Sequence, residues 1–266
     1  MLTDSHCHLN YEGLIEDQPG VIERARAAGV GTMLNISTRE HEWDAIIATA
    51  STDPDIWASI GIHPHEADAH PDVDTAKLVA KAAHPKVIGI GETGLDYYYD
   101  HSDRGRQRAS FRAHIAAARE TGLPLIVHTR DAEEDTAAIL AAEMGKGVYT
   151  GVIHCFTASG AFADTALDLG LYISISGIVT FKNAKDLQET AARLPEDRLL
   201  IETDSPFLAP VPHRGKPCEP AFVADTARFL ADLRGTSIET LAEMTTRNFH
   251  ALFTKACSER SRGVAR

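Results

Sequence analysis

Four histidines and two carboxylates carry the chemical signal of this chain. His6 and His8 stand two residues apart in Asp4-Ser5-His6-Cys7-His8. Glu92 follows Gly89-Ile90-Gly91, His128 follows Leu125-Ile126-Val127, His154 follows Val152-Ile153, and Asp204 follows Leu199-Leu200-Ile201-Glu202-Thr203. Imidazole and carboxylate together suit zinc, manganese or another first-row divalent ion, with magnesium an alternative. Six such groups exceed the three protein ligands usual around one catalytic zinc, so two ions sharing a carboxylate use them better. The expected assignment places His6, His8 and Asp204 on one ion, His128 and His154 on the other, and Glu92 on both. Ions about 3.5–4 Å apart support hydrolysis by an activated water, with Glu92 and Asp204 as the catalytic carboxylates and Asp204 accepting the water's proton.

Distant residues meet only if the fold gathers them. Short apolar runs at 2–5, 32–36, 56–62, 87–91, 125–127, 151–153, 171–176 and 199–203 alternate with stretches whose apolar residues recur at three and four, the mark of buried helix faces. Eight strands, each followed by a helix, predict a single-domain α/β fold, the (β/α)8 TIM barrel. All six ligands then sit at the C-terminal ends of strands, the face that carries activity in such barrels. On a strand, His6 and His8 point to one side and Cys7 to the other, where it is expected as a buried spectator thiol. Two further helices, about 220–233 and 238–253, complete the outer ring. The barrel domain is expected over 1–257, with a flexible polar tail at 258–266.

Bulk composition agrees. The 266 residues are 44% hydrophobic but only 6% aromatic, which suits a core of branched aliphatic layers. A net charge of −12 argues against coating nucleic acid by bulk attraction, though bound cations add local positive charge. Cys7, Cys155, Cys218 and Cys257 form no C-x-x-C pair, against a zinc ribbon. Reduced thiols, no basic-apolar leader and no apolar run of about 18 residues predict a cytoplasmic protein without membrane contact.

The stretches Asp4–Leu9, Gly61-Ile62-His63-Pro64, Gly89–Tyr97, Pro124–Arg130, His154-Cys155-Phe156 and Glu202-Thr203-Asp204-Ser205-Pro206 resemble, in order and over nearly the whole chain, the TatD family of metal-dependent deoxyribonucleases. The resemblance implies a TIM barrel, a metal centre on the six positions above, and phosphodiester hydrolysis with nucleic acid as substrate, DNA foremost, as ends or short fragments. One departure is Cys218, where the family usually carries Asn before Glu-Pro; it puts substrate preference in question there. The related amidohydrolases bridge two metals with a carboxylated lysine at the end of the fourth strand, and Glu92 in that place favours the TatD branch.

Other residues are expected to support the substrate or the ligands. Glu202, two before Asp204, points inward and either orients a histidine or ligates a further ion. His63 ends the third strand as ligand, phosphate donor or structural histidine. Arg130, Lys182, Arg214 and Lys216 stand on loops near the mouth, where each could hold a phosphate, and Tyr97-Tyr98-Tyr99 could stack on bases. The glycines of Gly89-Ile90-Gly91 read as room for close strand packing. Two other functions use the same residues: ester hydrolysis on aminoacyl-tRNA, such as D-aminoacyl-tRNA deacylation, and metal-dependent interaction without catalysis.

Overall fold

The computed structural model describes residues 1–257, so the tail expected at 258–266 lies outside the described residues. Eight parallel strands alternate with helices: β1 (Leu2–Cys7), α1 (Gln18–Ala27), β2 (Val30–Asn35), α2 (Trp43–Ser51), β3 (Ile56–Ile60), α3 (Thr75–Ala82), β4 (Val87–Asp96), α4 (Arg104–Thr121), β5 (Leu125–Arg130), α5 (Glu133–Met144), β6 (Gly151–Ile153), α6 (Gly160–Asp168), β7 (Tyr172–Ile175), α7 (Lys185–Arg193) and β8 (Leu199–Ile201). Two more helices, α8 (Val223–Arg234) and α9 (Ile238–Leu252), follow. The strands pair in chain order, as the expected (β/α)8 barrel requires. Among the described residues no helix is long and apolar enough to cross a membrane.

Local signals set the helix starts. The side chains of Asp74, Asp103, Ser159 and Ser237 each accept the backbone N–H three residues on, satisfying a donor the helix cannot. Pro220 lies in a separate 3-10 turn, so α8 begins three residues later than the apolar pattern predicts. Inside the barrel, Leu34, Ile36, Trp57, Ile88, Ile126, Val152 and Leu200 pack against Phe249, Leu252 and Phe253 from the end of α9. An aromatic plug thus closes the lower barrel, and the period of two lifts His128, His154 and Glu202 into the layer above Ile126, Val152 and Leu200.

Two departures matter for the site. Strand β4 does not end at Glu92 but runs on to Asp96, with an extra residue against β5 between Ile90 and Thr93. This bulge lets a polar, glycine-rich segment stay in the ladder. Gly94 is required there: it has φ +139°, and a Cβ would lie 2.0 Å from the His128 carbonyl oxygen. Gly89 and Gly91 do provide close packing, since a Cβ on either would press on Ile126.

The second departure is the closure. Between β8 and β1 a single bridge pairs Cys7 with Ser205, and polar contacts do the rest. The Asp4 carboxylate accepts from the backbone N–H groups of Thr203 (2.9 Å) and His6 (3.2 Å) and from the Thr203 hydroxyl (2.6 Å). Asp204 N–H donates to the His6 carbonyl and His8 N–H to that of Ser205. Burial pushes the Asp4 carboxyl up to about 8 against the pull of those donors.

Candidate metal centre

The six expected ligands converge on one cleft of about 700 Å³ at the C-terminal ends of the strands, although His6 lies beneath its surface. Glu92 stands in the middle. Its Oε2 is 3.4 Å from His6 Nε2 and 3.9 Å from His8 Nε2. Its Oε1 is 2.7 Å from His154 Nε2, 3.0 Å from His128 Nδ1 and 3.5 Å from His63 Nε2. Asp204 Oδ1 completes the first group, 3.4 Å from His8 Nε2 and 3.6 Å from His6 Nε2. Within the groups, His6 and His8 approach to 3.3 Å and His128 and His154 to 3.4 Å, nitrogen to nitrogen.

These spacings fit metal ligation. Donors about 2.1 Å from a tetrahedral ion lie roughly 3.4 Å apart. Burial works against charge at every one of these groups, and the partners decide the outcome. Burial holds His6 and, more strongly, His63 below the ordinary imidazole range. Despite burial, Asp204 raises His8, Asp96 and Glu92 raise His128, and Glu92 and Glu202 raise His154 well above it. Glu92 and Asp204 are pulled below the usual carboxylate range by the same imidazoles, again against burial.

The supporting residues divide sharply. Glu202 is fully buried; its Oε1 accepts from Cys155 N–H (2.7 Å) and lies 3.3 Å from His154 Nδ1. A proton on Nδ1 then leaves the His154 Nε2 lone pair facing Glu92, free for a metal ion. Its Oε2 and His6 Nδ1 are buried without a hydrogen-bond partner, and His6, His154 and Glu202 offer a third grouping of possible ligands. His63 Nδ1 accepts from His65 N–H, leaving Nε2 to the cleft. Arg130 lines the cleft and lies over the rings of Tyr98 and Tyr99 at 4.1 and 4.8 Å.

Lys182, Arg214 and Lys216 are exposed and do not line the cleft, and the Arg214 guanidinium packs over Phe181 instead. Tyr97 likewise turns away and donates to Asp135. Cys7 is fully buried under Leu34, as a spectator should be. Cys218 is fully buried too; its thiol does not face the cleft, while its backbone N–H holds the Pro206 carbonyl.

Two residues escaped the sequence reading. Asp96 Oδ2 lies 3.2 Å from His128 Nε2 and 2.8 Å from His65 Nε2, while its Oδ1 accepts the N–H groups of Tyr98 and Tyr99. A proton on His128 Nε2 donated to Asp96 leaves the Nδ1 lone pair facing Glu92. The available signal was spacing: Glu92 and Asp96 are four apart, hence on one face of a strand. His65 carried no such strand signal, since it lies in the 3-10 turn Pro64–Glu66 that His63 caps.

Comparison with known proteins agrees with this architecture. Residues 3–254 match the model of the TatD related DNase family. An uncharacterized metal-dependent hydrolase of Escherichia coli K12, YcfH, is 46% identical over 95% of both chains. The 3'-5' ssDNA/RNA exonuclease TatD of Erwinia tasmaniensis is 36% identical over 90% of this chain and 94% of that protein. The crystal structure of YjjV, a TatD homologue of E. coli, superposes with a TM-score of 0.89 at 28% identity, covering 95% of this chain and 98% of that one. With its fold and these relatives in agreement, the chain belongs to the TatD family of metal-dependent hydrolases.

Proposed function

We propose that this protein hydrolyses phosphodiester bonds of nucleic acid, single-stranded DNA foremost, with two divalent ions held on either side of Glu92. His6, His8 and Asp204 would hold one and His128 and His154 the other. The observation that carries the reading is the division of the Glu92 carboxylate, Oε2 toward the first histidine pair and Oε1 toward the second. Ions held there would supply Lewis acidity, lowering the pKa of a water toward neutrality and offsetting charge on the phosphoryl oxygens.

The chain's own residues do the remainder. Asp204, kept ionised by His8, His6 and His154 despite burial, accepts the proton of the attacking water. Asp96 and Glu202 fix the orientation of His128 and His154. Arg130 offers a cation to the substrate backbone. The exonuclease name of the Erwinia relative supports a nucleic-acid strand as the substrate.

The test is protein of measured metal content offered labelled single-stranded DNA, RNA and charged tRNA side by side. Digestion of DNA with two metal equivalents per chain is expected, and Glu92→Gln should lose metal together with at least about 10²-fold in rate. Deacylation of tRNA with both polynucleotides left intact would replace this reading by the carbonyl-ester one.

A further inference from the structure

The two walls of the cleft differ in what they leave free. On one wall Tyr99 is about half exposed, with the half-exposed Tyr98 beside it, but Arg130 lies over both rings and His101 stacks parallel on Tyr99 (4°, 5.4 Å). On the other wall stands Phe207, 51% exposed. Its neighbours His8 and Tyr11 meet it at steep angles, 70° and 83°, with centroids 6.3 and 6.1 Å away. Among the described residues no ring or cation lies parallel on it.

Phe207 is also held in place. Its N–H donates to the Asp204 carbonyl, and the carbonyl of Pro206 accepts from Cys218 N–H. A large apolar ring fixed in water beside a ligand histidine lacks the burial that normally accompanies such a side chain. The planar, uncharged surface that fits it is a nucleobase, which stacks on aromatic rings whatever its identity.

We infer that Phe207 is a base-stacking subsite, receiving the nucleobase next to the bond that is cut. The inference rests on the phosphodiesterase reading and deepens it. Grip on the substrate then comes from opposite sides of the metal centre: a base on Phe207, and backbone charge near Arg130. Recognition is of any base rather than one sequence, since the ring offers no hydrogen-bonding group.

The test compares short oligothymidylate with the same backbone bearing abasic residues, using metal-loaded wild type, Phe207→Ala and Phe207→Trp. Wild type should cleave both, with KM about tenfold lower for the base-bearing strand. Phe207→Ala should remove that preference by raising KM for oligothymidylate alone, with kcat little changed, and Phe207→Trp should restore it. In Phe207→Trp the new indole should be quenched by oligothymidylate and not by the abasic strand. Equal KM values for the two strands in wild type, or an equal loss on both in Phe207→Ala, would overturn the subsite while leaving the phosphodiesterase reading intact. Cleavage of neither strand by wild type would sink that reading and the subsite with it. A changed oligomeric state in Phe207→Ala, with substrate preference retained, would reassign the ring to an interface and also overturn the subsite.

Discussion

The two edges of the barrel that carry the candidate metal ligands are held in opposite ways. Between β4 and β5 five backbone pairs run from Ile90 and Leu125 to Asp96 and Arg130; His128 is paired with Gly94 in this ladder, and Glu92 sits in the bulge that the ladder brackets between Ile90 and Thr93. Between β8 and β1 there is one bridge, and His6, His8 and Asp204 are gathered largely by what Asp4, Thr203 and a few loop N–H groups donate and accept. The first edge is fixed by backbone geometry, down to a glycine with no room for a Cβ. The second depends on individual side chains, so single substitutions should separate the two halves of the site.

Asp4→Ala is the strongest such cut. It leaves two buried N–H groups and a hydroxyl without their acceptor, a loss of about 3 kcal/mol by denaturant unfolding at neutral pH. The damage should be local as well as global: metal bound by His6, His8 and Asp204 weakens while that at His128 and His154 persists, so titration should show one tight equivalent instead of two. Equal weakening of both equivalents would mean the closure is not a separable unit. Asp4→Asn, which keeps one acceptor oxygen, should lose less.

The regular half has its own sensitivity, to acid. His114 on α4 is fully buried; its Nδ1 donates to the Ser110 carbonyl and its Nε2 accepts the Ile62 N–H just beyond the third strand. Both roles need the neutral ring, and burial pushes its pKa down to about 4 from an ordinary 6.5. Between those values the unfolded chain binds more protons than the folded one, so stability rises with pH there. The contribution is complete above about 6.5 and lost progressively as pH falls toward 4, amounting to about 3 kcal/mol over the window. His114→Gln should flatten that part of the stability curve of the metal-free protein. An unchanged slope would show that the ring does not titrate on unfolding.

The same contrast explains what was legible in the sequence. The inward placement of His128, His154 and Asp204 above β5, β6 and β8 was readable because each follows an apolar run at a period of two, Ile126 to His128 and Val152 to His154. The end of β4 was not, because Glu92-Thr93-Gly94-Leu95-Asp96 is polar and glycine-bearing and reads as a loop until a bulge and the β5 ladder hold it extended. The cations are a related case: Lys182, Arg214 and Lys216 are near the mouth in sequence, but they are exposed and do not line the cleft, and Arg214 packs on Phe181. Strand periodicity fixes direction, whereas loop position alone does not.

Asp96 offers the finest test of the ladder-built half. Asparagine has the same shape, and its carbonyl oxygen can still accept the N–H groups of Tyr98 and Tyr99. Its NH2, placed toward His128, donates where the carboxylate accepted, making Nε2 the acceptor and driving the imidazole proton to Nδ1, the atom that faces Glu92. Backbone and packing stay put while one lone pair is lost to the metal. Asp96→Asn should therefore lower metal affinity at the His128 side by about 10–100-fold, read by chelator competition, with unfolding stability of the metal-free protein nearly unchanged and the tight equivalent at His6 and His8 retained. Unaltered affinity would mean that the ladder alone orients His128, and that on this edge backbone geometry needs no side-chain help.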